Sequence, residues 1–329
     1  MTLTFAMPRI FRQLGMLGNL LKHIDMHHRK LFSVCPKSGL LKRRDFIKAS
    51  MLAAGALAAN PFPYHAYAGE KKKFASDRVQ LGNSGIELSR LAMGTGTHGV
   101  NKSSNQTRKL GVKGLGELLH AAYDEGINFW DSADQYGTHP HLKAGLEYVP
   151  REKVVIMSKT HATTEKEMWD DLDRFRKELG TDYIDIVLLH FMTDPNWPQK
   201  KIGAMNVLQQ AREEGIIKAH GVSCHTLGAL KAAAESDWVQ VDLARINPYA
   251  ARMDGTVDEV VPVLKKMKSQ GKGIIGMKIF GAGQLTNKVD ECLQYALAQD
   301  FIDCFTIGQE DFTETTDLIR RIPDASVRG

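Results

Sequence analysis

Asp131, Tyr136, Lys159 and His190 each end or closely follow a short apolar run, in INFWDSADQYG, VVIMSKT and IDIVLLH. Together these four side chains can protonate an oxygen that is gaining negative charge. Hydride addition to a carbonyl builds such charge, and a proton donor must meet it. A tyrosine has an ordinary pKa of about 10, so alone it donates reluctantly at neutral pH. A neighbouring lysine ammonium favours the phenolate and eases the transfer. An aspartate can pair with the lysine and hold it, and a histidine can orient the carbonyl or relay the proton. Taken singly, each residue has an ordinary reading: a rim aromatic, a surface lysine, a turn-forming aspartate, a core histidine. Their joint placement at strand ends is what points to carbonyl chemistry.

The elements that must position them follow a regular alternation. Short β-rich runs lie near 91–95, 128–133, 154–160, 184–191, 217–224, 240–247, 273–280 and 304–308. Helical stretches at 113–125, 165–179, 204–214 and 257–270 are each followed by glycine (Gly126, Gly180, Gly215, Gly271), the residue a helix C-terminus favours. Shorter helices fit 141–148, 227–235, 288–299 and 313–321. Eight strand–helix units in order predict a (β/α)8 TIM barrel, whose active site lies at the C-terminal ends of its strands. A doubly wound sheet would want GxGxxG after its first strand. Gly94-Thr95-Gly96-Thr97-His98-Gly99 lacks that spacing. Apolar runs at 79–81 and 86–88 around Gly82-Asn83-Ser84-Gly85 read as an N-terminal β-hairpin capping the barrel bottom.

Over about residues 77–322 the chain resembles the aldo-keto reductases. INFWDSADQYG is similar to that family's signature, with Asp and Tyr five positions apart. VVIMSKT is similar to its lysine strand, LGTDYIDIVLLH to its histidine strand, and GIIKAHGVSCHT to its fifth-strand segment. The resemblance implies a tetrad of Asp131, Tyr136, Lys159 and His190, with Tyr136 as general acid, and NAD or NADP bound across the barrel mouth. It places Gly94 and Thr95 beside the nicotinamide and Ser223 on the carboxamide. The chain departs where Cys224 stands for the usual Asn and Leu243 for the usual Gln. A thiol cannot replace an amide, which turns attention to Asp242, Arg245 and Asn247. Lys278, Phe280, Gly281 and Gly283 match the loop over the pyrophosphate. From Gly308 the chain enters the stretch that reads the adenosine phosphate, and at 309–311 it is acidic (Gln309-Glu310-Asp311). A 2′-phosphate would be repelled there unless Arg320 or Arg321 reaches it, which favours NAD or weak selectivity between NAD and NADP. Candidate pocket residues are Trp130, His98, His139, Phe191, Met192, Trp197 and Tyr249. The substrate is expected to be a small carbonyl compound: an aldehyde, ketone or sugar. A catalytically weak dinucleotide-binding sensor is the alternative.

The formal net charge of +5 is unevenly spread. Residues 1–68 carry ten Lys/Arg and two Asp, and the remainder carries 33 basic against 36 acidic residues. The body therefore has no basic excess to attract nucleic acid. Arg43 and Arg44 stand in RRDFIK, an Ala-rich stretch runs from 49 to 59, and Ala66-Tyr67-Ala68 offers a cleavage site. This resembles a twin-arginine signal, which exports folded proteins to the periplasm. The apolar stretch is too short to span a membrane, and no stable span is expected after cleavage. We read 1–68 as leader, with Met16 or Met26 as candidate starts, and 69–329 as the barrel domain. His23, His27 and His28 fit a solvated basic region. Cys35, Cys224, Cys292 and Cys304 show no metal spacing, nor do His161, His220 and His225, so no metal site is expected.

Overall fold

The computed structural model describes residues 72–327, so the expected leader and cleavage site lie outside the described residues. An antiparallel hairpin of β1 (Arg78–Gln80) and β2 (Glu87–Ser89) comes first, in the register Val79 opposite Leu88. Eight parallel strands then close into a barrel. They are β3 (Leu91–Gly94), β4 (Phe129–Asp131), β5 (Val155–Thr160), β6 (Ile184–Met192), β7 (Ile217–Cys224), β8 (Val241–Arg245), β9 (Gly273–Met277) and β10 (Cys304–Gly308). β10 pairs with β3 to complete the ring.

The connecting helices are α1 (Asn105–Asp124), α2 (His139–Leu146), α3 (Glu165–Leu179), α4 (Trp197–Lys200), α5 (Ile202–Glu213), α6 (Leu227–Glu235), α7 (Val257–Ser269), α8 (Val289–Ala298) and α9 (Phe312–Val327). All four expected glycine stops hold left-handed backbone, with φ of +85° at Gly126, +68° at Gly180, +76° at Gly215 and +83° at Gly271. α1 begins eight residues earlier than the apolar period suggested. Ser104 and Thr107 form a reciprocal capping box there, and Gly111 interrupts the helix with φ +62°. Among the described residues, no helix is long and apolar enough to cross a membrane.

Two apolar clusters follow from strand alternation. One fills the barrel: Ala92, Phe129, Val155, Met157, Ile186, Leu188, Ala219, Val241, Leu243, Ile275 and Cys304. The hairpin residues Leu81, Ile86 and Leu88 join it, so the hairpin plugs the bottom as expected. The hairpin turn docks closely, since a Cβ at Gly82 would lie 2.4 Å from the Gly273 nitrogen. The other cluster lies between barrel wall and helices and takes the alternate residues, among them Trp130, Ile156, Val187, Val222 and Ala244.

Candidate active site

Counting in steps of two along each strand from the barrel-filling residues gives the side chains that point into the mouth. Phe129 leads to Asp131, Met157 to Lys159, Leu188 to His190, and Cys304 to Thr306. Backbone strain concentrates at the same end. All eight described non-glycine residues with positive φ follow or end a barrel strand on its C-terminal side: His98, Asn101, Lys102, Phe191, Ala250, Arg252, Lys278 and Ala282. Such conformations persist where the surrounding structure enforces them, often at functional sites.

Lys159 is fully buried. Its ammonium bonds to Asp131 Oδ1 and donates to the Ser132 carbonyl at 2.6 Å. The Thr306 hydroxyl donates to the other Asp131 oxygen at 2.8 Å. Thr95 fixes the backbone beneath, its hydroxyl donating to the Asp131 carbonyl at 2.8 Å.

Tyr136 ends a short 3-10 turn, Asp134–Tyr136, closed by Gly137 at φ +68°. Its ring lies on two glycines. A Cβ at Gly96 would come within 2.2 Å of the ring, and one at Gly99 within 2.3 Å. The Lys159 ammonium stands 4.9 Å from the ring centroid, and the His190 ring meets it edge-on at 5.8 Å. The four expected residues thus converge on one rim.

The electrostatics refine the expectation for the phenol. Burial pushes Tyr136 up, Lys159 pulls it back only in part, and it rests above the ordinary tyrosine value. Burial pulls Lys159 down, but Asp131 and Tyr136 outweigh it and hold the ammonium above the ordinary range. His190 is held well below its ordinary value, first by burial and then by the charge of Lys159, so its imidazole is neutral. Its Nδ1 is buried without a hydrogen-bond partner among the described residues. His161 stacks on His190 at 4.9 Å, and His225 packs on Phe191 at 4.1 Å. Burial chiefly lowers both, His225 to about 3. A cleft beside Tyr136 is lined by His161, His190, Phe191, Met192, Trp197 and Lys201.

The residues expected around a dinucleotide divide. Lys278 is half-buried in the mouth, and the charges acting on it are Asp131, Lys159, Arg245 and Arg252. That excess of cations suits a pyrophosphate. Ser223 is buried, with its hydroxyl 3.4 Å from His225 Nε2. Gly281 (φ +56°) and Gly283 (φ +93°) give the loop after β9 its left-handed turns, while Phe280 packs on the outer apolar layer. Gly94 has a structural reason to be glycine, since its Cβ would lie 2.7 Å from the Ile307 carbonyl. Gly308 is exposed beside Thr97.

Other placements correct the sequence reading. Cys224 is one position out of phase with Ser223, so its thiol is sealed in the outer apolar layer. Burial raises its pKa well above the ordinary value. Asp242 is out of phase in the same way, fully buried behind β8. Arg245 is held by Asp254. The Asn247 amide is spent on loop structure, donating to the Ala251 carbonyl at 2.8 Å and the Lys278 carbonyl at 3.1 Å. Trp130 and His139, expected in the pocket, face the helix layer: Trp130 packs in its apolar cluster, and His139 bonds to Ser158 and Glu178. Tyr249 bonds through its hydroxyl to Glu291. Thr306, Gly96 and Gly99 were missed. Thr306 was findable by parity, two positions beyond an interior residue.

A model of the "Aldo/keto reductase family" matches residues 90–305. Aldo-keto reductase AFTS1 of Alternaria alternata is 24% identical over 287 residues, 75% of this chain and 76% of that protein. The holo form of aldo-keto reductase AKR11C1 from Bacillus halodurans superposes with a TM-score of 0.62 at 15% identity, covering 77% of this chain and 91% of that one. The Bombyx mori aldo-keto reductase AKR2E4, solved in complex with NADP, gives 0.56 at 18%, covering 75% and 91%.

The glycine slot yields a prediction. Gly96→Ala forces the Tyr136 ring off its seat and should lower kcat by about 10- to 100-fold while dinucleotide binding persists. Steady-state kinetics and fluorescence titration check this, and unchanged kcat would mean that the slot does not set the ring.

Proposed function

Because this chain belongs to the aldo/keto reductase family, we propose that it interconverts a small carbonyl compound and its alcohol, with Tyr136 as proton donor. Family membership makes it a nicotinamide-dependent oxidoreductase. The observation that carries the finer reading is the Tyr136 ring seated 4.9 Å from the Nζ of a buried Lys159 that Asp131 holds in place. When bound, the dinucleotide supplies the hydride.

The chain's own residues do the rest. Lys278 would hold the anionic pyrophosphate, and Ser223, now 3.4 Å from His225 Nε2, would meet the carboxamide. Neutral His190 offers a hydrogen bond to the substrate oxygen. Tyr136 keeps its proton through neutral pH because burial holds its pKa up. As charge builds on the oxygen, the Lys159 ammonium stabilises the phenolate left behind. Asp131 and Thr306 keep that ammonium from moving.

The preference for NAD rests on the start of α9. Glu310 is bound by Asn105 and Lys109, Asp311 accepts from the Glu314 amide at 2.9 Å, and Glu314 accepts from the Glu310 amide at 2.7 Å. Amides that would welcome a 2′-phosphate are thus covered by carboxylates. Arg320 and Arg321 are paired with Asp317 and Asp290. We also propose that residues 1–68 are a twin-arginine leader delivering the folded barrel to the periplasm, on the strength of RRDFIK and the Ala-rich stretch.

In a panel of aldehydes, ketones and sugars, reduction should run better with NADH than with NADPH. It should fall as pH rises through the Tyr136 pKa, which lies above the ordinary value. Tyr136→Phe should lose about 100-fold or more of turnover and still bind dinucleotide; near-normal turnover would remove Tyr136 from its role. For export, Arg43→Lys with Arg44→Lys should trap the protein in the cytoplasm, and fractionation showing it still in the periplasm would refute the leader reading.

A further inference from the structure

Strand parity gives the catalytic strand two handles on its outer side. Lys159 points into the barrel, so Ser158 and Thr160 point out, toward α2 and α3. Both are held there. Thr160 donates to Asp171, and the Ser158 hydroxyl lies 2.7 Å from His139 Nε2. His139 Nδ1 in turn lies 2.7 Å from Glu178.

One guanidinium gathers these links. Arg174 on α3 donates to Asp171 at 2.5 Å, to Glu178 at 3.2 Å and to Asp134 at 2.6 Å. Asp134 opens the 3-10 turn that ends in Tyr136, and Lys102 neutralises it from the other side. A single planar cation therefore joins the tyrosine turn to the residues just before and just after Lys159. Arginine's fixed fork suits such multiple carboxylate contacts, whereas lysine is a point charge.

Two other uses of the cluster fail. Asp134, His139 and Glu178 approach metal spacing, but both His139 nitrogens are bonded and both carboxylates hold Arg174. Ser158–His139–Glu178 has the bonding order of a nucleophilic triad. Ser158 and His139 are sealed at 0% and 1% exposure, so no substrate can reach the hydroxyl.

We propose that Arg174 is a positioning residue for the reaction, setting the separation of the Tyr136 phenol and the Lys159 ammonium from behind the barrel wall. This rests on Tyr136 being the proton donor. Lys159 eases proton release by a Coulombic effect that falls with distance. A brace that fixes the distance fixes the effect.

The groups facing Tyr136 are Lys159 from β5, Asp131 from β4 and neutral His190 from β6; the loop after β3 presents the backbone of Gly96 and Gly99. Lys159 alone among them lowers the phenol pKa. If the phenol drifts from it, that pKa rises.

The test is Arg174→Gln and Arg174→Lys in the full chain, with Arg176→Gln as control. Arg176 lies on the same helix and pairs with Asp173. Arg174→Gln should cut kcat by about 10- to 100-fold, leave dinucleotide Kd within about 2-fold, and move the alkaline limb of the reduction profile to higher pH. Arg174→Lys should recover part of both effects, and Arg176→Gln neither. Normal kcat, or a profile scaled down with its limb in place, overturns the proposal. Tyr136→Phe run in parallel separates the two claims. If it keeps turnover, the proton-donor reading itself has failed. If it is dead and Arg174→Gln is normal, only the brace has failed. Should Arg174→Gln not fold, Asp134→Asn weakens the link to the tyrosine turn, together with its pair to Lys102, and leaves the Asp171 and Glu178 contacts of Arg174 in place. Its alkaline limb should likewise move to higher pH, and a limb left in place overturns the brace.

Discussion

A lysine sealed inside a barrel is costly unless its charge is answered. An unpaired buried ammonium would shed its proton or destabilise the fold. Lys159 has no exposed surface, and besides the Tyr136 phenol the Asp131 carboxylate and the Ser132 carbonyl answer its charge. Breaking a pair of this kind by removing one partner costs about 3–5 kcal/mol. The barrel is therefore organised so that the partner cannot leave. Thr306 holds the free oxygen of Asp131 from across the β10–β3–β4 seam, and Thr95 holds its backbone. Chemistry follows from the same constraint, because a fixed ammonium acts on whatever acid is fixed beside it.

Fixing Tyr136 takes a different kind of structure. The residue is carried on a short turn and is only half-buried, so packing alone does not hold it. Backbone does. Gly96 and Gly99 lie flat under the ring, and Gly137 closes the turn where any side chain would strike the Lys102 carbonyl at 2.1 Å. Behind the wall, Arg174 ties that turn to the residues flanking Lys159. The mouth is thus strained and charged, while the opposite end is an apolar plug made by the hairpin.

What could be read from the sequence depended on range. Glycine stops, apolar runs and the hairpin turn are local signals, and they placed all eight strands and the ends of the four glycine-stopped helices nearly where they lie. The convergence of Asp131, Tyr136, Lys159 and His190 on one rim was legible because they sit at or just beyond strand ends. Parity was harder. Cys224, Asp242, Trp130 and His139 were placed at the mouth although alternation or helix packing turns them outward. In a strand, one residue of offset changes the face, and a motif match does not carry that information. The start of α1 was missed because its cap is polar and its first turns lack an apolar period. Arg174 was beyond reach, since Asp171 and Glu178 lie on its own helix and read as ordinary helical pairs, while only folding brings Asp134 to it.

The buried Lys159 charge, on this view, governs the acidity of the Tyr136 phenol. Ultraviolet difference titration tests that directly, taking the tyrosinate signal of the native protein minus that of Tyr136→Phe, and repeating the pair in a Lys159→Met background. The phenol should titrate at clearly higher pH once the ammonium is gone. An identical titration in both backgrounds would contradict the control of Tyr136 by Lys159.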